Sequence, residues 1–112
     1  MVKLSVPDRG SIVLLNFHPQ SGREQAGRRP ALVLSPAAYN AKVGLVILCP
    51  ITRQAKGYPF EVALPTGMRT KGVILADHVK NLDWRARGGR VIERVPASIF
   101  AAVTAKLDLL LH

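Results

Sequence analysis

Cysteine is almost missing from this chain: Cys49 is the only one in 112 residues, so no disulfide can close within it. It sits in the apolar run Leu45-Val46-Ile47-Leu48-Cys49, where a buried and inert thiol is expected. Such usage suits a reducing compartment. Long apolar runs are missing too. No stretch approaches the ~20 residues that span a bilayer, and residues 1–8 lack the apolar core of a secretory signal. A soluble, cytoplasmic protein without membrane contact is expected. Aromatics make up only 5%, and the apolar share of 48% is mostly Val, Leu, Ile and Ala, a composition suited to short strands and one helix. Acids are few and too scattered for a two-metal nuclease. His18, His78 and His112 are isolated, no His/Cys set has metal-ligand spacing, and no glycine-rich phosphate loop of the Walker type occurs. Neither a metal nor a cofactor is expected.

What the chain has in excess is positive charge. Sixteen Lys and Arg against seven Asp and Glu give +9. A field of that size draws in polyanions. Arg outnumbers Lys, which favours phosphate, because a guanidinium grips it through two parallel hydrogen bonds. At this length, residues 1–112 are expected to form one domain around its own core.

Residues 12–17 (IVLLNF), 30–35 (PALVLS) and 44–50 (GLVILCP) are predicted strands, the third apolar on both faces and therefore central. Residues 58–64, 72–79 and 90–93 add three more. The segment 36–42 is expected to be a single helical turn or an irregular connection. From Pro96 to Leu111, Ile99, Val103, Leu107 and Leu111 recur every fourth residue, which predicts a helix lying as a lid on the sheet. Short strands in meander order followed by one helix indicate a mainly β fold, a strongly bent sheet or small barrel.

Polar residues concentrate in three loops at strand ends: 18–29, 51–57 and 80–90. The first is long for a compact domain and has no periodicity, which favours function. Together the loops carry Arg23, Arg28, Arg29, Arg53, Lys56, Lys80, Arg85, Arg87 and Arg90. If they converge, they form a cationic groove that would track a phosphodiester backbone. Without metal ligands, the chemistry left is attack by an RNA 2′-hydroxyl on the adjacent phosphorus. That reaction needs a base, a donor for the leaving oxygen and positive charge on the non-bridging oxygens. An Arg beside the phosphate commonly contributes about 3–4 kcal/mol to such a transition state. Arg29, where the long loop meets the second strand, is held more firmly than a loop-tip residue. Thr52 offers a short, stiff hydroxyl. Glu24 is the only acid in the first loop, either functional or an exposed partner for Arg28 or Arg29.

The run VPDRGSIVLLNFHPQSGREQAGRRPALVLSPAAYN resembles the N-terminal half of the MazF/PemK toxin family. Its pattern is a turn Gly, an apolar strand, a Pro, then G-x-E-Q-x-G-x-R-P leading into a second apolar strand and S-P. CPITRQAKGYPFEVALP and GVILADHVKNLDWRAR continue the likeness in register over nearly the whole chain. The resemblance implies a small, highly twisted SH3-like barrel with a C-terminal helix. It also implies a homodimeric, metal-independent endoribonuclease that cuts single-stranded RNA to 2′,3′-cyclic phosphate and 5′-hydroxyl ends. It makes Arg29 the principal catalytic residue, Thr52 its partner at the same phosphate, and Glu24 a residue tied to activity. Lys56, Lys80 and Arg87, with Arg28 and Arg53, would line the RNA groove. Phe17 and Gln54 are candidates for base contacts, and Phe17 or Trp84 would offer a ring for stacking. The implied regulator is a MazE-like antitoxin whose acidic arm competes with RNA for the same cations.

Two departures limit the transfer. His18 stands where the family often has an acid. The Arg-x-Asp pair of some relatives reads Leu75-Ala76-Asp77 here, so a mechanism resting on that Arg does not carry over. Two rival functions fit parts of the pattern. A gyrase-poisoning toxin on the same fold would need a C-terminal segment that reaches gyrase. A non-catalytic RNA-binding module explains the charge but not the Glu24/Arg29/Thr52 set.

Overall fold

In β1 (Ser11–Asn16), Ile12 faces one way and Val13 and Leu15 the other, and all three are fully buried. A strand buried on both faces needs a packed layer on each side. One layer gathers Ile12, Leu32, Cys49, Ile51, Ile74 and Val103. The other gathers Val13, Leu15, Val33, Val46, Leu48 and Trp84. Register explains the sorting: Ile12 pairs with Leu32 and Leu32 with Cys49, while Val13 pairs with Ala31 and Val33 with Leu48. Partners across an antiparallel ladder share a face.

The computed structural model describes residues 5–17 and 27–112. After β1 come β2 (Arg28–Val33), α1 (Ala37–Val43), β3 (Leu45–Thr52), β4 (Glu61–Ala63), β5 (Val73–Leu75), β6 (Lys80–Asp83), β7 (Arg90–Arg94) and α2 (Ala97–Leu111). The ladders are antiparallel and the order is β4-β5-β3-β2-β1-β7, with β6 also on β3. The fold is mainly β with a C-terminal helix, as the sequence indicated, but the barrel does not close. Strands β4 and β7 end the order without pairing to each other. The reason lies in β3. On one edge it pairs with β2; on the other, Leu45–Leu48 take β6 and Ile51–Thr52 take β5. Only two residues remain for β5, and the short β4 hangs from it.

Strand β6 falls in a segment that reads as loop from sequence. Of its four residues only Leu82 is apolar, and the others are exposed. It is a strand because β3 offers it an edge, which periodicity does not register. Strands β4 and β5 are shorter than the predicted 58–64 and 72–79, and β3 runs two residues beyond Pro50. The connection after β2 is a seven-residue helix closed by Gly44 at φ 80°, a left-handed conformation suited to glycine.

Helix α2 lies against β4. Val103 is fully buried, and Ile99 and Phe100 pack on the first layer. Leu111, predicted to continue that stripe, is instead 68% exposed, as Leu109 and Leu110 are in large part. The helix outruns the sheet beneath it, so its last turn has nothing to cover. The Lys106 ammonium donates to the Pro59 carbonyl (2.7 Å) and fixes the helix to the turn before β4. Among the described residues no helix is long and apolar enough to cross a membrane.

A buried polar knot ties α1 to the sheet. The Asn40 amide donates to the carbonyls of Pro7 (2.7 Å) and Ser35 (3.0 Å), and its oxygen accepts from the Ser35 hydroxyl. The indole N–H of Trp84 donates to the Asn40 carbonyl (2.9 Å). Asn40→Ala would keep the Trp84 bond, which goes to the backbone, but strand the Pro7 and Ser35 carbonyls and the Ser35 hydroxyl, each at a cost of about 1–3 kcal/mol. We expect a stability loss of about 3 kcal/mol, read as a lower urea midpoint with an unchanged slope. A second tie is the Asp8 carboxylate, which accepts from the N–H groups of Ala37 (2.9 Å) and Arg9 (2.8 Å). These bonds hold it below its ordinary 3.8. Its stabilisation is fully present above that ordinary value and is lost as pH falls through the lower folded-state value. Asp8→Asn should therefore lower the melting temperature at neutral pH and converge with the parent once pH falls below the folded-state value.

Candidate active site

Past Leu15 and Ala31 the sheet loses its cover, and each face opens into a hollow. One, of about 620 Å³, lies on the side of Leu14, Pro30, Ile51 and Ile92, which alternation places on the same face as the Ile12/Leu32 layer. The other, of about 870 Å³, includes Pro50 and Leu82, on the face of the Trp84 layer. Four residues border both: Arg29, Ile51, Thr52 and Gln54. The ends of β2 and β3 thus form a rim with a hollow on either side.

Nine of the ten site candidates lie on one hollow or the other. Arg28 and Arg53 line the first; Phe17, Lys56, Lys80 and Arg87 line the second; Arg29, Thr52 and Gln54 border both. Glu24, like His18, lies outside the described residues. Trp84 is not a stacking platform: it is 4% exposed, with the Arg85 guanidinium 4.7 Å above its ring.

Each position has a local cause. Arg29 is exposed on β2 opposite the buried Leu15, and its guanidinium has no partner among the described residues. Thr52 ends β3, where its hydroxyl oxygen accepts the Gln54 N–H (3.1 Å). That bond leaves the Thr52 proton free to be donated. Its backbone is pressed by Gly72, where an added Cβ would stand 2.1 Å from the Thr52 carbonyl oxygen. Gly72 also has φ +120°, a region side chains rarely adopt. The loop after Thr52 is shaped by Glu61, whose carboxylate accepts from the N–H groups of Lys56 (3.0 Å) and Gly57 (3.1 Å). Arg87 donates to the carbonyls of Phe17 (2.9 Å) and Asn16 (3.3 Å), so it anchors the end of β1 while reaching the second hollow.

The sequence reading did not single out Arg69, Thr70 and Lys71 on the first hollow, or Tyr58 on the second. The two cations of PTGMRTKG were the available signal, but nothing in the sequence sets that turn beside Thr52. Cys49 is fully buried, and burial pushes its thiol up to about 12, so it is inert. Behind the site, Asp77 has one buried carboxylate oxygen, 3.8 Å from the His78 imidazole and too far for a hydrogen bond.

An exposed Arg and a hydroxyl at one rim, with cations on both sides, can hold a phosphodiester and stabilise added charge on it. Comparison with known proteins agrees with that chemistry. Residues 8–111 match the PemK-like, MazF-like toxins of type II toxin–antitoxin systems. The chain belongs to that family. It is 47% identical over 111 residues to the endoribonuclease toxin MazF of Escherichia coli (strain K12), covering 99% of each. The crystal structure of MazF (Form-I) from Deinococcus radiodurans is 57% identical, with a TM-score of 0.86 over 96% of this chain and 97% of that one. The MazE–MazF (Form-II) structure from the same organism is 52% identical, with a TM-score of 0.86 over 96% of each chain. As in those MazF structures, a seven-stranded antiparallel sheet carries a C-terminal helix.

Gly72→Ala tests how tightly the MazF-like rim is set. The new Cβ must push the Thr52 backbone aside, whereas Gly67→Ala, at φ +95°, meets nothing within 4 Å. We expect RNA cleavage to fall at least about tenfold more in Gly72→Ala than in Gly67→Ala, since a displacement near 1 Å costs up to about a hundredfold. Single-turnover rates on a defined RNA, with circular dichroism to confirm folding, would check this.

Proposed function

We propose that Arg29 and Thr52 are the reaction centre at which this chain cleaves single-stranded RNA. The class of activity follows from the family and its endoribonuclease members: the chain is a toxin of the mRNA interferase kind. What supports the assignment of the centre is the shared rim, where a guanidinium without a partner among the described residues and a hydroxyl with a free proton meet the two hollows.

In this reading the scissile phosphate sits on the rim. The 2′-oxygen loses its proton to a base and bonds to phosphorus. The bond from phosphorus to the 5′-oxygen breaks, and that oxygen takes up a proton. The products are a 2′,3′-cyclic phosphate and a 5′-hydroxyl. Arg29 neutralises the charge growing on the non-bridging oxygens, and Thr52 donates its proton to one of them. Glu24 completes the set, tied to activity by the family pattern. Lys56, Lys80 and Arg87 hold the flanking backbone in the second hollow, with Arg28 and Arg53 on the other side. Phe17 offers a half-buried ring for a base and Gln54 an amide for its edge. None of these steps requires a metal.

Pairing with an antitoxin goes with the family, and relatives have been solved as MazE–MazF complexes. We further propose that the antitoxin lays an acidic arm over the same cations, that the toxin works as a homodimer, and that it acts in the cytoplasm on mRNA. An arm and an RNA are both polyanions, so occupancy by one excludes the other.

The test is incubation with a long single-stranded RNA in EDTA, with Arg29→Ala alongside. We expect discrete fragments with cyclic phosphate and 5′-hydroxyl ends, and a fall of about a hundredfold or more in the variant. Cleavage that survives Arg29→Ala would keep the activity and refute the centre. A folded protein that cuts nothing at low salt would refute the nuclease reading.

A further inference from the structure

The first hollow holds more charge than a scissile phosphate needs. Arg28, Arg29, Arg53, Arg69 and Lys71 all line it, and no carboxylate does among the described residues. Arg69 and Lys71 are exposed and come from the turn between β4 and β5, on either side of the buried Thr70. That turn is gripped from below. One oxygen of the Glu93 carboxylate, on β7, accepts the Arg69 N–H (3.3 Å), and the other accepts the Thr70 N–H (2.7 Å) and hydroxyl (2.5 Å). Burial works against that charge, but the bonds from Thr70 and Arg69 outweigh it and hold the carboxyl below its ordinary value. At its other end the turn closes on Gly72, which lies against Thr52. The backbone that carries the two cations is therefore held in place beside the reaction centre.

We propose that Arg69 and Lys71 form a second phosphate subsite for the RNA, and that Glu93 is the positioning residue that holds it. The subsite lies across the rim from Lys56 and Lys80, so the RNA passes from one face of the sheet to the other at the scissile phosphate. This rests on the reading of Arg29 and Thr52 as the reaction centre. The crossing has a chemical use. In-line attack needs the 2′-oxygen opposite the departing 5′-oxygen, and a continuously stacked strand does not present that alignment. Nucleotides drawn onto opposite faces are unstacked at the bond to be cut, and such splaying is open to single strands alone. A second copy of the chain with its two-fold axis through the hollow is a poorer occupant, because it would set the cationic wall against its own image.

The experiment compares Arg69→Ala/Lys71→Ala with Arg9→Ala/Lys42→Ala, which removes two exposed charges that line neither hollow. Binding of a single-stranded RNA would be measured against salt concentration in an Arg29→Ala background, so that the RNA stays intact. Each phosphate contact on a single strand contributes ~0.7 to the log–log salt slope, so losing two should reduce it by about 1.4. Charges beyond a screening length of ~8 Å contribute little, and the control should leave the slope unchanged. With Arg29 intact, the Arg69/Lys71 variant should raise KM about tenfold and lower kcat as well, because the strand is both held less firmly and free to restack out of in-line geometry. Glu93→Gln should raise KM in the same direction, and adding Arg69→Ala/Lys71→Ala to it should raise KM by less than the product of the two effects.

A slope and KM indistinguishable from the Arg9/Lys42 control would overturn the subsite while leaving the Arg29/Thr52 centre standing. A changed sedimentation coefficient with unchanged RNA binding would overturn it in favour of a protein contact. Absence of RNA cleavage by the parent protein would overturn both readings together.

Discussion

The site depends on β3 changing partners along one edge. Leu45–Leu48 pair with β6, and Ile51–Thr52 pair with β5, leaving Cys49 and Pro50 between them. Pro50 has no N–H to give, so it suits a place where the ladder is interrupted. A continuous partner on that edge would leave no room for two strands to diverge. Here the divergence opens the end of β3 to both faces, and Thr52 stands where it opens. Gly72 lets β5 approach closely enough to fix the Thr52 backbone, and β2 brings Arg29 alongside from the opposite edge.

How much of this was legible in the sequence follows from how local each cause is. β1, β3 and the second half of β2 are buried on both faces, and an uninterrupted apolar run announces that directly. The stripe of α2 was readable as far as Val103, but Leu111 shows the limit: periodicity gives a helix's face, not the extent of the surface beneath it. β6 was invisible because its reason for being a strand lies about 35 residues earlier, in the free edge of β3. The open sheet is the same fact on a larger scale, since no residue in β4 or β7 says that their edges will not meet.

The site divides the same way. Arg29 and Thr52 sit at strand ends beside a Pro and an apolar run, and the family pattern marks both. Arg69 and Lys71 occupy a turn whose neighbours are Thr52 and Glu93, residues remote in sequence. A charge in a turn reads as solvent-exposed until the chain that it faces is known. Glu93 looked like the polar end of a last strand, yet it is the group that gives that turn its shape.

That no carboxylate among the described residues lines the first hollow has a consequence for the folded chain itself. Five like charges gathered on one wall repel one another, and the native state bears that repulsion whenever the hollow is empty. The acids nearest in function are already spent on backbone N–H groups: Glu93 on Arg69 and Thr70, Glu61 on Lys56 and Gly57. Among the described residues no acid lines the hollow, so salt, RNA or an acidic chain from outside would relieve the repulsion. By mass action, any polyanion that binds the folded form and not the unfolded one also stabilises it. The toxin's inhibitor and its substrate would then both act as folding ligands, and the free protein would be the least stable species in the cycle.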